Sequence, residues 1–136
     1  MTFDSSYSFG VRVRGPIGDV RPRVEAALQA EGFGILTEID VAATLKAKLG
    51  IERDPYLILG ACNPPLANRA LEAAPSVGVL LPCNVVLRAD QDATIVEAMD
   101  PLQAMGIVGD PAVSEVAGEA RARLERAIAA VAAADA

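Results

Sequence analysis

The stretch from Tyr56 to Leu87 constrains the fold more than any other. Tyr56–Ala61 is almost continuously apolar, which reads as a strand in the middle of a sheet, covered on both faces. Cys62-Asn63-Pro64 follows. Asparagine is a preferred helix N-cap and proline is preorganised for the first helical position, so a helix opens there. Leu66, Ala67, Ala70 and Leu71 share one face of it, and Pro75 follows its end. Val77–Arg88 then alternates as a long strand. Val79, Leu81, Cys83, Val85 and Leu87 fall on one side; Leu80, Pro82, Asn84 and Val86 fall on the other. Pro82 cannot donate to a ladder, so a bulge or an edge position is expected at it.

The flanks extend this pattern. Tyr7–Val13 alternates with period two, and Gly15-Pro16 ends it. Val20, Val24, Ala27 and Leu28 recur at helical spacing, and Gly32 closes that helix. Phe33–Ile39 reads as a strand. Asp40 stands where an N-cap belongs, ahead of Val41, Leu45 and Leu49, and Gly50 stops that helix. Ala89–Asp92 reads as a hairpin loop into a strand over Ala93–Met99, with a short irregular or helical turn closing at Met105-Gly106. Asp110-Pro111 opens a last helix, striped by Val113, Val116, Ala117, Ala120, Leu124, Ile128 and Val131. The fold class expected is α+β: a single domain over residues 1–136, built as a two-layer α/β sandwich. Its sheet has about five strands, largely antiparallel or mixed through a βαβ crossover, and four helices complete it.

Composition narrows the chemistry. With 52% apolar residues the chain can bury a core, and disorder is excluded as a class. Every apolar run is interrupted well short of the ~20 residues a membrane helix needs. The first residues show no basic region leading into an apolar one, so the expected location is cytoplasmic. A net charge of -6 repels phosphate backbones, and two tyrosines and three phenylalanines offer few platforms for bases. No nucleic-acid or membrane partner is therefore expected. Arg12, Arg14, Arg21 and Arg23 form a local basic cluster, read as a solvated face. The chain has no histidine, so Ser-His and Cys-His dyads and a histidine-ligated haem are ruled out. Two cysteines supply half of a closed zinc site, and no metal-ligand set is assigned. Phosphate-binding glycine motifs are absent.

Both cysteines precede asparagine. If their strands are neighbours, Cys62 and Cys83 form a thiol pair in a pocket, acting as redox sensor, soft-metal ligand or nucleophile. Alternatively they are small apolar core residues. Cys62 is the stronger functional candidate, because the helix N-terminus at Asn63 would lower its pKa. Asn63 is expected to cap that helix. Asn84 either satisfies a bulge at Pro82 or lines a pocket. Glu38 and Asp40 share a strand face as an acid/base or hard-metal pair; the alternative assigns Asp40 to a cap and Glu38 to an ion pair with an arginine.

Gly32–Asp40, Leu59-Gly60-Ala61-Cys62-Asn63-Pro64 and Leu80-Leu81-Pro82-Cys83-Asn84-Val85 together resemble, in order and spacing, the DUF302 family of small bacterial and archaeal proteins of unknown function. The resemblance runs from about Phe9 to Met105. It implies an α+β domain and a homodimer, and no established activity, catalytic residue or cofactor. The expected function is binding of a small molecule or metal in a pocket near Glu38, Cys62, Asn63, Cys83 and Asn84. A thiol-dependent enzyme or redox sensor using Cys62, with Glu38 or Asp40 as base, is the alternative. A structural or interaction module without a site is the third reading.

Overall fold

A computed structural model describes residues 2–135. Six strands, β1 (Thr2–Asp4), β2 (Ser8–Arg14), β3 (Gly34–Asp40), β4 (Tyr56–Cys62), β5 (Cys83–Asp90) and β6 (Ala93–Met99), form one sheet in the order β1-β2-β6-β5-β4-β3. Five helices accompany it: α1 (Ile17–Ala30), α2 (Val41–Leu49), α3 (Pro64–Ala73), α4 (Pro101–Gly106) and α5 (Pro111–Ala133). The α+β sandwich holds, and every strand pair is antiparallel. No βαβ crossover makes the sheet mixed: β2 and β3, which α1 joins, lie on opposite sides of the sheet, separated by β6, β5 and β4.

Helices α1 and α5 pack on one face, against each other and against the strands. The sequence pattern explains why. Val20, Val24 and Leu28 of α1, and Val113, Val116, Ala117, Ala120, Leu124, Ile128 and Val131 of α5, are all buried. Of these, Val20, Val24, Leu28, Leu124, Ile128 and Val131 meet Phe9, Val11, Val13, Leu59, Ala61, Cys83, Val85, Leu87, Val96 and Ala98 from alternate strand positions. Gly32 takes a left-handed φ of 85° at the turn that leads from α1 to β3. A second, smaller core lies past the end of the sheet, where Leu66 and Ala70 of α3, Val77 and Met105 pack on Val113, Val116, Ala117 and Ala120.

The sequence reading needs correction at several elements. Strand β1 was not expected; it is three residues long and pairs with β2. Strand β4 is next to the edge strand β3, and only one of its faces is fully covered: Leu59 and Ala61 are buried, whereas Tyr56 and Ile58 are half-buried. The long strand over 77–88 is instead a 3-10 turn, Pro75–Leu80, followed by the shorter β5. Pro75 and Gly78 favour a turn over a strand, and Pro82, unable to donate, lies just before β5. Val79 consequently leaves the buried row and is 87% exposed. Residue Asp90 pairs with Ala93, leaving Gln91-Asp92 as a two-residue turn with Gln91 at φ 58°. Helix α2 buries none of its residues, although Asp40 caps it as expected, accepting from the Ala43 amide at 2.9 Å.

The face of the sheet opposite α1 and α5 bears no helical layer among the described residues. Register assigns it three rows across the strands: Ser8, Met99, Asn84, Gly60 and Thr37; Gly10, Glu97, Val86, Ile58 and Ile39; Arg12, Ile95, Arg88 and Tyr56. Most of these side chains are half-buried, and Thr37, Ile39 and Asn84 are exposed. Gly60 is an exception forced by packing. A Cβ there would collide with Thr37 Oγ1 and come within 2.9 Å of Pro82 Cγ, so only glycine lets both residues close over β4.

Candidate functional site

The two Cys-Asn dipeptides are brought to neighbouring strand ends, because β4 and β5 pair and Ala61 stands opposite Cys83. Cys62, Asn63 and Cys83 line one crevice between the sheet end and the second core, with Phe33, Leu66, Pro82, Met105 and Val116 among its other walls. Its volume is about 30 Å³, room for roughly one water molecule. Both cysteines are free thiols. Burial raises the pKa of Cys62, and it raises that of Cys83 to about 11, with the neighbouring Cys62 adding to the rise. The expected lowering of the Cys62 pKa by the helix N-terminus is thus not found. Asn63 explains part of this. Its Oδ1 accepts from the Leu66 amide at 3.3 Å, so the α3 terminus is capped by an amide, and its Nδ2 donates to the Glu31 carbonyl at 3.3 Å. Asn63 therefore ties the end of α1 to the start of α3.

The remaining candidates lie elsewhere. Glu38 accepts from Arg21 Nε at 2.6 Å, and Arg21 also holds Glu25 at 2.9 Å. Its register partner is the buried Leu59, which puts it on the helix-covered side of the sheet, the side Cys83 also faces, but it does not line the crevice. Asp40 is occupied by its cap. Three members of the arginine cluster are matched by acids: Arg21 as above, Arg12 with Asp90 at 2.8 Å, and Arg23 with Asp135 at 3.9 Å. Asn84 is exposed, and on the ladder it faces the opposite side of the sheet from Cys83.

There Asn84 joins a different hollow. A cleft of about 360 Å³ on the uncovered face is lined by Tyr7, Ser8, Tyr56, Asn84, Val86, Glu97, Met99 and Gln103. Glu97 is its one carboxylate. The Ser8 hydroxyl donates to Glu97 Oε2 at 2.6 Å, and Arg88 Nη2 donates to Oε1 at 3.4 Å. Ser8 is buried and is itself within 2.8 Å of the Ser5 hydroxyl. Among the described residues the side chains of Tyr7, Tyr56, Asn84 and Gln103 hydrogen-bond to no other residue, so they remain open to a ligand. Sequence reasoning missed Ser8 and Glu97. The available signal was a lone carboxylate at the fifth place of the Ala93–Met99 run, between Ile95 and Met99 on the same row.

Among the described residues, no three His, Cys, Asp or Glu side chains gather as metal ligands, and no helix is long and apolar enough to cross a membrane. A family model described as "Domain of unknown function DUF302" matches residues 9–131. The chain is also similar to a solved structure, the uncharacterized conserved protein DUF302 from Bacillus stearothermophilus. The two are 30% identical, the match covers 93% of this chain and 99% of that one, and the TM-score is 0.86. No curated protein matches the chain.

Proposed function

We propose, from the premise that this chain belongs to the DUF302 family, that it is a binding domain for a small polar molecule, acting as a cytoplasmic homodimer. The site is the cleft on the uncovered sheet face. One observation carries this reading: Asn84, Tyr7, Tyr56 and Gln103 converge without internal partners around the Ser8–Glu97–Arg88 chain, in a cleft of about 360 Å³. That volume lies within the range of ~300–1,000 Å³ typical of ligand pockets. Glu97 is positioned from both oxygens, so it presents an oriented acceptor to amine or hydroxyl groups. Two free thiols suit a reducing compartment. The thiol-enzyme alternative finds less support, since burial keeps both sulfurs protonated and the carboxylates offered as bases are engaged elsewhere.

The test is a thermal-shift screen against small polar metabolites, run beside sedimentation equilibrium. A binder raises the melting temperature of the native protein. That shift is expected to vanish in both Glu97→Gln and Asn84→Ala, with a mass twice that of the chain. Shifts that survive both substitutions would place the site elsewhere.

A further inference from the structure

Independently of the open cleft, we infer that the crevice at the end of β4 and β5 is a binding site for one soft monovalent metal ion, of the copper(I) type, held by Cys62, Cys83 and the thioether of Met105. Three different elements bring these residues to one hollow: the end of β4, the start of β5 and the short helix α4. They contribute two of the chain's two cysteines and one of its three methionines. Met105 and Cys83 are buried and Cys62 is half-buried, so the hollow opens to solvent on the Cys62 side.

The walls decide what can occupy it. Apart from sulfur they are almost wholly apolar, with Phe33, Leu66, Ala70, Leu81, Val116 and Ala120 among them. Asn63, their polar side chain, has both amide atoms engaged. A buried water needs two to four polar partners, and this hollow does not supply them, although its volume of about 30 Å³ would admit one molecule. Hard ions demand oxygen ligands. Zinc demands four ligands, and no cluster of three His, Cys, Asp or Glu exists among the described residues. Thiolate and thioether sulfur together select copper(I).

Charge favours the same ion. The incoming monovalent cation displaces one thiol proton to solvent. One thiolate, one thiol and one thioether then surround it, and the complex is neutral. No uncompensated charge is left in an apolar crevice. No electron is transferred and no oxidant is needed.

Copper(I), titrated anaerobically against a chromogenic chelator, tests this directly on the full chain. One equivalent per chain is expected to be taken up. Cys62→Ser and Cys83→Ser should each abolish uptake. Met105→Leu conserves side-chain volume, so it preserves the fold, and should weaken uptake about tenfold, equivalent to ~1.4 kcal/mol. Circular dichroism of each variant confirms its folding. Absence of uptake by the wild type overturns the inference. So does uptake unchanged in Met105→Leu, or uptake that depends on Cys62 alone, which would signify a surface thiol.

Discussion

Cys62-Asn63 and Cys83-Asn84 are the same two letters with opposite fates. In the first pair the asparagine is buried and the cysteine half-buried; in the second the cysteine is buried and the asparagine exposed. Position on the strand produces the difference. Asn63 stands just past the end of β4, where the next residues begin a helix whose amides need an acceptor. Asn84 stands inside β5, where alternation sends it to the face opposite Cys83. One region is therefore a structural junction and the other is the rim of a cleft. A dipeptide shared by two sites carries no role until its register and its neighbours are known.

The comparison predicts unequal costs, which chemical denaturation can rank. The largest falls between the two regions, at Gly60, which stands opposite Asn84 in the ladder. Gly60→Ala forces a methyl group onto Thr37 and Pro82, and should destabilise by about 3 kcal/mol. A loss well below that would mean the Pro82 segment is free to move away.

The next effect separates the two thiols by pH. The folded pKa of Cys83 is raised from 9.0 to about 11. A raised thiol pKa favours the protonated folded state, so its contribution is complete below pH 9. It is lost as pH climbs through about 11, because the unfolded chain releases its proton first. The stability advantage of wild type over Cys83→Ala should shrink by about 2–3 kcal/mol across that interval. The same comparison for Cys62→Ala should show a smaller change, since Cys62 is only half-buried. Equal alkaline slopes for both would remove the burial argument.

The asparagines come last. Asn63→Ala removes a helix cap and leaves the Glu31 carbonyl with only the longer bond from Arg123, and should cost about 2 kcal/mol. Asn84→Ala should change stability by less than about 0.5 kcal/mol, as exposed positions usually do. Comparable losses at the two sites would break the distinction drawn here.

Much of this was legible in the letters. The caps Asp40, Asn63 and Asp110 and the stripe of α5 follow from local chemistry, and each holds. The alternation of Tyr7–Val13 holds only for the buried row Phe9, Val11 and Val13; Ser8 and Gly10 are buried as well, and Tyr7 precedes β2 and is exposed. The 77–82 segment was misread because its alternation mimicked a strand, while the prolines at 75 and 82 and Gly78 set the backbone instead. The site was harder. Glu38 and the cysteines are conspicuous by residue type, yet Glu38 is spoken for by Arg21, 17 residues earlier in the chain. Glu97 is inconspicuous, and its contact with Ser8 spans 89 residues. Long-range pairing across β2 and β6 assembles the cleft, and no local pattern announces it.

The central claim is that the uncovered sheet face is the binding surface. A fragment screen read by backbone amide NMR tests it most directly, with Glu97→Gln as control. The account predicts shifts confined to the neighbourhood of Ser8, Asn84, Val86, Glu97, Met99 and Gln103, abolished in the control. Shifts clustered on another surface, or undiminished in Glu97→Gln, would contradict it.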